Sequence, residues 1–253
     1  MKPIRFQKPS RVLLAAMAAV ALLHTGCESL EDAFSPAVQG PFYTPANVIL
    51  TGLQLPANVR RVAVLPMTTA LGNQAAKNGA ETIEPLLLDE LAKARLFEVV
   101  RITPERLMAL AGKPALRADD RLPPDLLERL SEETACHAFL FTELTVYRAY
   151  PPLAIGWKIS LFSLSDGQLL WSLDEQFDAG MPSVANGARR HLRHHQATAS
   201  AMLRETPILN SPASFARYTI SAATETMRPL PALPKKSKEI PKEAPKPAEK
   251  PNR

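Results

Sequence analysis

The chain has 253 residues, with 30 Lys+Arg against 25 Asp+Glu and a formal net charge of +5. Four of those basic residues (Lys2, Arg5, Lys8 and Arg11) precede residue 27 with no acidic partner, so residues 27–253 carry 26 basic and 25 acidic side chains. A body this close to neutral has no nucleic-acid footprint, and two cysteines cannot make a disulfide-rich scaffold.

After the basic start comes an unbroken apolar run, Val12–Leu23, and then the small pair Thr25-Gly26. This is the pattern of a secretory signal over residues 1–26, and its apolar run falls short of the roughly 20 residues a spanning helix needs. A cysteine directly after small residues resembles the lipobox of bacterial lipoproteins. That resemblance implies removal of residues 1–26, with diacylglycerol and an N-acyl chain carried on Cys27. His24 stands where those motifs usually have Leu, and Leu23 lies one place further back. Glu28 follows the cysteine, where lipoproteins held at the inner membrane tend to carry Asp, so the resemblance implies the outer membrane, facing the periplasm. Lipidated Cys27 leaves Cys136 without an intramolecular partner, and the fold must rest on its own core.

Composition divides the rest into three. Residues 27–58 have scattered Pro and Gly without periodicity and read as a flexible tether. Residues 59–228 have the apolar patterning of one domain. Residues 229–253 contain seven prolines, with seven basic and three acidic residues between them, and are expected to form a disordered, polyproline-biased tail.

Within the domain, Arg61–Met67 is a β-branched run expected to be a buried strand. Gly72–Gly79 reads as a loop. Ile83, Leu86, Leu87, Leu91 and Ala94 recur at helical spacing, with Pro85 placed in the first turn, where proline is tolerated. Phe97–Ile102 is a second strand. Thr103-Pro104 is an N-cap followed by proline at the first helical position, opening a helix that Gly112 closes. Pro124–Thr134 is a further helix, with Leu126, Leu127 and Leu130 as its apolar face.

Ala138–Tyr150 then reads as a long strand turned by Pro151-Pro152. Ile155, Trp157, Ile159 and Leu161 alternate as the inward set of the next one. Ser165-Asp166-Gly167 makes a tight turn into a strand with Leu169, Trp171, Leu173 and Phe177 facing inward. Helices follow over Val184–Leu203 and over Pro212–Met227, the latter capped by Ser211. The expected fold is α/β (α+β): a single mixed sheet of about five strands in the order β-α-β-α-α-β-β-β-α-α, with helices packed on it.

The segments VRRVAVLPM (59–67), FEVV (97–100), ACHAFLFTELTVY (135–147) and ISLFSLSDGQLLWS (159–172) carry a family resemblance. They resemble the periplasmic lipoprotein superfamily of the curli-secretion channel, which includes the penicillin-binding-protein activator lipoproteins and the amino-terminal domain of TolB. The resemblance spans about residues 58–227 and implies a non-enzymatic, partner-binding domain of the Gram-negative envelope.

Candidate chemistry is sparse. No Walker loop, Gly-x-Ser-x-Gly elbow, His-Glu-x-x-His or Cys-x-x-Cys motif occurs, and no cofactor is expected beyond the lipid on Cys27. Asp119-Asp120 and Glu132-Glu133 are adjacent, so their carboxylates diverge and read as solvated faces. Cys136-His137 precedes an apolar run and reads as a small buried thiol rather than a reactive pair. His191 and His195 stand at i, i+4, a spacing that can hold a metal, but no third ligand is visible, leaving them weak candidates.

On the same helix, Arg189, Arg190 and Arg193 point away from the stripe of Val184, Ala188, Leu192, Ala199 and Met202. Three such cations can hold a phosphate, a carboxylate or an acidic partner surface. They join Tyr147, Tyr150 and Trp157 of the Tyr147–Trp157 hairpin as candidate partner contacts. The expected role is a membrane-anchored adaptor in envelope assembly or secretion, its protein partner unidentified and its lysine-rich tail in weak contact with peptidoglycan or anionic lipid. The alternative is a pore-forming subunit of the curli type, for which the only long hairpin, Leu144–Leu164, is interrupted by Pro151-Pro152.

Overall fold

The strands at 61–64, 98–101 and 138–148 are joined through helices and run parallel, those at 138–148, 154–163 and 169–178 are joined by turns and run antiparallel, and the sheet is mixed for that reason. The computed structural model describes residues 36–195 and 207–229. Residues 1–26, read from the sequence as a signal, together with Cys27 and residues 28–35, lie outside the described residues. So do residues 196–206, which include the end of the Val184–Leu203 helix, and tail residues 230–253.

The chain opens with α1 (Pro36–Gln39) and β1 (Val48–Leu50). Then come β2 (Arg61–Val64), β3 (Thr68–Thr69), α2 (Gln74–Ala94), β4 (Glu98–Arg101), α3 (Pro104–Ala111) and α4 (Leu126–Thr134). The meander β5 (Ala138–Arg148), β6 (Ala154–Ser163) and β7 (Leu169–Asp178) follows, with α5 (Pro182–His195), α6 (Pro207–Asn210) and α7 (Pro212–Glu225) after it. The sheet runs β1-β7-β6-β5-β2-β4, with β3 beside β5. β4, β2, β5 and β3 pair in parallel, whereas β5, β6, β7 and β1 pair antiparallel.

Helices cover both faces. Val62, Val64, Leu140, Leu144, Trp157, Leu161, Trp171 and Leu173 pack with Ile83, Leu87 and Leu91 of α2, Val184 and Ala188 of α5, and Phe215 and Ile220 of α7. Ala63, Leu65, Phe139 and Phe141 point the other way, onto Leu107 and Leu110 of α3 and Leu126 and Leu130 of α4. Alternation along β2 and β5 therefore serves two cores at once, which is why both strands read as continuous apolar runs.

The expected mixed sheet with helices against it is the one observed, but with seven strands rather than five. The additional two, β1 and β3, are too short to show a period. β1 also corrects the reading of residues 27–58 as a flexible tether: Val48, Ile49 and Leu50 pair with Leu173, Ser172 and Trp171. A second correction concerns α2, which begins at Gln74 rather than after a loop over Gly72–Gly79. Asn73 starts it, accepting the Ala76 amide on its side chain at 3.0 Å, as N-cap residues do. Pro85 consequently lies inside the helix. It and Glu81, whose carbonyl loses its helical donor to the proline, are both exposed.

Candidate docking surfaces

The two arginines of α5 nearest the amino-terminal segment are already engaged by it or by their own helix. Arg189 donates to the Asn186 side-chain oxygen at 3.0 Å, and the Arg190 guanidinium lies 4.4 Å over the Phe42 ring. Arg193 is half-buried and also has an interaction partner. Asn186 is itself buried and donates to the Pro41 carbonyl at 3.3 Å, while the Tyr43 amide donates to the Ser183 carbonyl at 3.1 Å. Residues 36–47 thus form a strap along α5, and the cationic face found in the sequence is partly its seat.

The strap is latched by Glu175 of β7. Tyr43 donates its hydroxyl to Glu175 Oε2, and the amides of Ala46 and Asn47 donate to Oε1 at 2.5 and 2.7 Å. Burial alone would raise the Glu175 carboxyl, but the Tyr43 hydroxyl, these two amides and the Gln176 amide together outweigh it and hold its pKa below the ordinary value. Burial, then the hydrogen bond to Glu175 and that group's charge, push the Tyr43 hydroxyl well above its ordinary range. The Tyr43 ring also meets Phe177 edge-on, with centroids 5.3 Å apart.

Downstream of the latch, β1 and α7 border a groove of about 590 Å³ at the edge of the sheet. Tyr43, Pro45, Val48, Leu50, Leu53 and Ala222 supply its apolar lining, and Glu225 and Arg228 add charged groups to it. Leu53 is 90% exposed. No motif in the sequence marks this groove. Its signal was the run Val48-Ile49-Leu50 between Pro45 and Gly52, an apolar triplet opened by two β-branched residues and bracketed by turn residues.

No family model matches the chain, and no curated protein matches it. Among solved structures it is similar to the PelC dodecamer from Paraburkholderia phytofirmans. There the TM-score is 0.33 and the identity 18%, over 51% of this chain and 78% of that one. It is also similar to lipoprotein GNA1162 from Neisseria meningitidis, with a TM-score of 0.30 and 18% identity over 47% of this chain and 79% of that one. TolB from Acinetobacter baumannii gives a TM-score of 0.28 and 11% identity over 64% of this chain and 31% of that one.

The hairpin candidates separate. Trp157 is a correction: it is fully buried and donates its indole N–H to Thr219 Oγ1 of α7 at 2.9 Å. The alternation of Ile155, Trp157, Ile159 and Leu161 already pointed it inward. Tyr147 is half-buried over α2, and burial raises its hydroxyl pKa. Tyr150, at the hairpin tip, is 81% exposed and alone of the three faces solvent.

His191 is half-buried with its ring 5.8 Å from that of Tyr218. The side chain of His195 lies outside the described residues. Among the described residues, no group of three or more His, Cys, Asp or Glu stands together as a metal site. Cys136 is buried and free, and burial raises its thiol pKa, which makes it a poor nucleophile. His137 accepts the Arg61 amide on Nδ1 at 3.3 Å. Asp120 approaches Lys113 at 3.7 Å and Glu133 approaches Arg106 at 3.4 Å.

Proposed function

We propose that this chain is a lipid-anchored lipoprotein of the Gram-negative envelope. Its α/β domain is a non-enzymatic module that binds a protein partner during envelope assembly or secretion. The observation that carries the binding half of this reading is the β1–α7 groove, where apolar side chains from two elements line about 590 Å³ at the surface. Contiguous apolar surface of this kind marks contact sites. The anchoring half rests on the basic start, the apolar run Val12–Leu23 and Cys27, and Glu28 favours the outer membrane over the inner. The adaptor role is preferred to a pore because β5, β6 and β7 are core strands: Leu140, Leu144, Trp157, Leu161 and Trp171 are all buried within the domain.

Cys27→Ser tests the anchor. The variant is expected to leave the membrane fraction for the soluble periplasm, and mass spectrometry of the parent chain to find diacylglycerol on Cys27. A free thiol at Cys27 in the parent chain would end the anchor. Photocrosslinkers placed at Leu53 and at Tyr150 in intact cells test binding, and the absence of any protein adduct at either position would end the adaptor reading.

A further inference from the structure

We propose that the open edge of β1 is a strand-addition site. Its occupant is an extended segment of a membrane-associated partner that carries apolar residues at alternate positions. This deepens the partner-binding reading and rests on it.

Main-chain geometry identifies the occupant. Asp174 N–H donates to the Asn47 carbonyl at 3.1 Å and Thr51 N–H donates to the Leu170 carbonyl at 3.0 Å, and between them Ile49 stands opposite Ser172. In an antiparallel pair every second residue bonds its neighbour, and the residues between turn their N–H and C=O to the other side. Asn47, Ile49 and Thr51 are therefore the residues spent on β7. Val48 and Leu50 turn their main-chain groups outward, where no strand lies beyond β1 in the sheet order of the described residues. Two donors and two acceptors in this array match one kind of partner, another extended backbone.

Side chains set what that backbone must carry. Val48 and Leu50 pack toward the α7 face of the sheet, whereas Ile49 points to the opposite face and is 56% exposed. Residues directly opposite each other on paired strands share a face. The two incoming residues that bond Val48 and Leu50 thus drop their side chains into the groove, between Leu53 and Ala222. Ala222 leaves the room they need. The pattern required is apolar-x-apolar.

The length of chain before the groove says where the partner sits. Cys27 is 16 residues from Tyr43, a reach of at most about 55 Å, so a groove on a lipidated chain stays close to the bilayer. A segment near the membrane face of another envelope protein is within range. The chain also leaves beside the groove, since Arg228 lines it and residues 230–253 follow. Those residues are the competing occupant that the experiment must separate.

The probe is a dansylated peptide, Lys-Thr-Val-Thr-Val-Thr-Lys, titrated onto the full-length chain in detergent. Saturation is expected to slow amide exchange at Val48 and Leu50 at least tenfold while leaving Ile49 unchanged. Ala222→Trp should weaken probe binding at least tenfold with the melting temperature retained, and a probe N-methylated at both valines should not bind. The inference is overturned if no β1 amide is protected, or if the N-methylated probe binds equally well. It is also overturned if deleting residues 230–253 tightens probe binding tenfold or more, which would make the tail the occupant. In cells, adducts at Tyr150 but none at Leu53 would end the strand-addition site and leave the partner-binding reading standing.

Discussion

One carboxylate gathers three of the hydrogen bonds that hold the amino-terminal strap down. Glu175 accepts from the Tyr43 hydroxyl and from two main-chain amides, and no lysine or arginine is among the causes of its shift. Charge-assisted bonds of this sort are roughly twice as strong as neutral ones, and all of them need the ionised form. Because they hold the Glu175 pKa below its ordinary 4.5, the folded strap binds fewer protons than the released one. The latch therefore contributes fully above about pH 4.5 and fades as pH falls through the lower folded-state value. Protection factors of the Ala46 and Asn47 amides should drop as pH is lowered across that window. Glu175→Gln should flatten the dependence and lower protection at neutral pH. A variant whose protection still fell with acid would move the titrating group elsewhere.

At the scale of elements, the long helix α2 and the hairpin β5–β6 are fitted to each other through one absent side chain. A Cβ placed on Gly79 would stand 2.6 Å from the Tyr147 ring, so glycine persists in mid-helix despite its cost of about 1 kcal/mol relative to alanine. Asn73, which caps the same helix, also donates its side-chain amide to the Thr145 carbonyl at 3.0 Å, where the β5–β6 register shifts between Leu144 and Val146. Gly79→Ala should destabilise the chain by about 1–3 kcal/mol, the usual range for overpacking. In a Tyr147→Ala background the same change should become neutral or stabilising. A urea-unfolding double-mutant cycle reads the sign reversal, and additive effects would mean that Tyr147 does not set the size limit at position 79.

This pairing also shows what was legible. Thr103-Pro104 and Ser211-Pro212 announce helices because capping is local, and each side chain accepts an amide three residues on. The period-two set of β6 was equally plain, and following it to its end would have buried Trp157. Gly79 looked like a loop residue because the ring that requires it lies 68 positions away. β1 was invisible for the same reason, since its three residues owe their conformation to Leu173 and Trp171, more than 120 positions downstream.

For the molecule as a whole, the consequence is where the folded unit starts. The sequence boundary at residue 59 omits everything that covers the β7 edge. Without residues 36–58 the chain loses the Glu175 latch, the edge-on contact of Tyr43 with Phe177, and the packing of Val48, Leu50 and Leu55 against the larger core. Half-burial of four such side chains is worth on the order of 3–4 kcal/mol. Spread over a unit of this size, that corresponds to roughly 10 °C in melting temperature. The bare β7 edge that remains would present unpaired main-chain groups along its outer side, a template for association between copies. Residues 36–229 should therefore melt well above residues 59–229 and run as a single species in light scattering, while the shorter chain associates as concentration rises. Equal melting temperatures would show that the strap and β1 rest on the domain without stabilising it. The groove would then belong to a detachable segment, and a partner strand would compete with β1 for β7 instead of adding beside it.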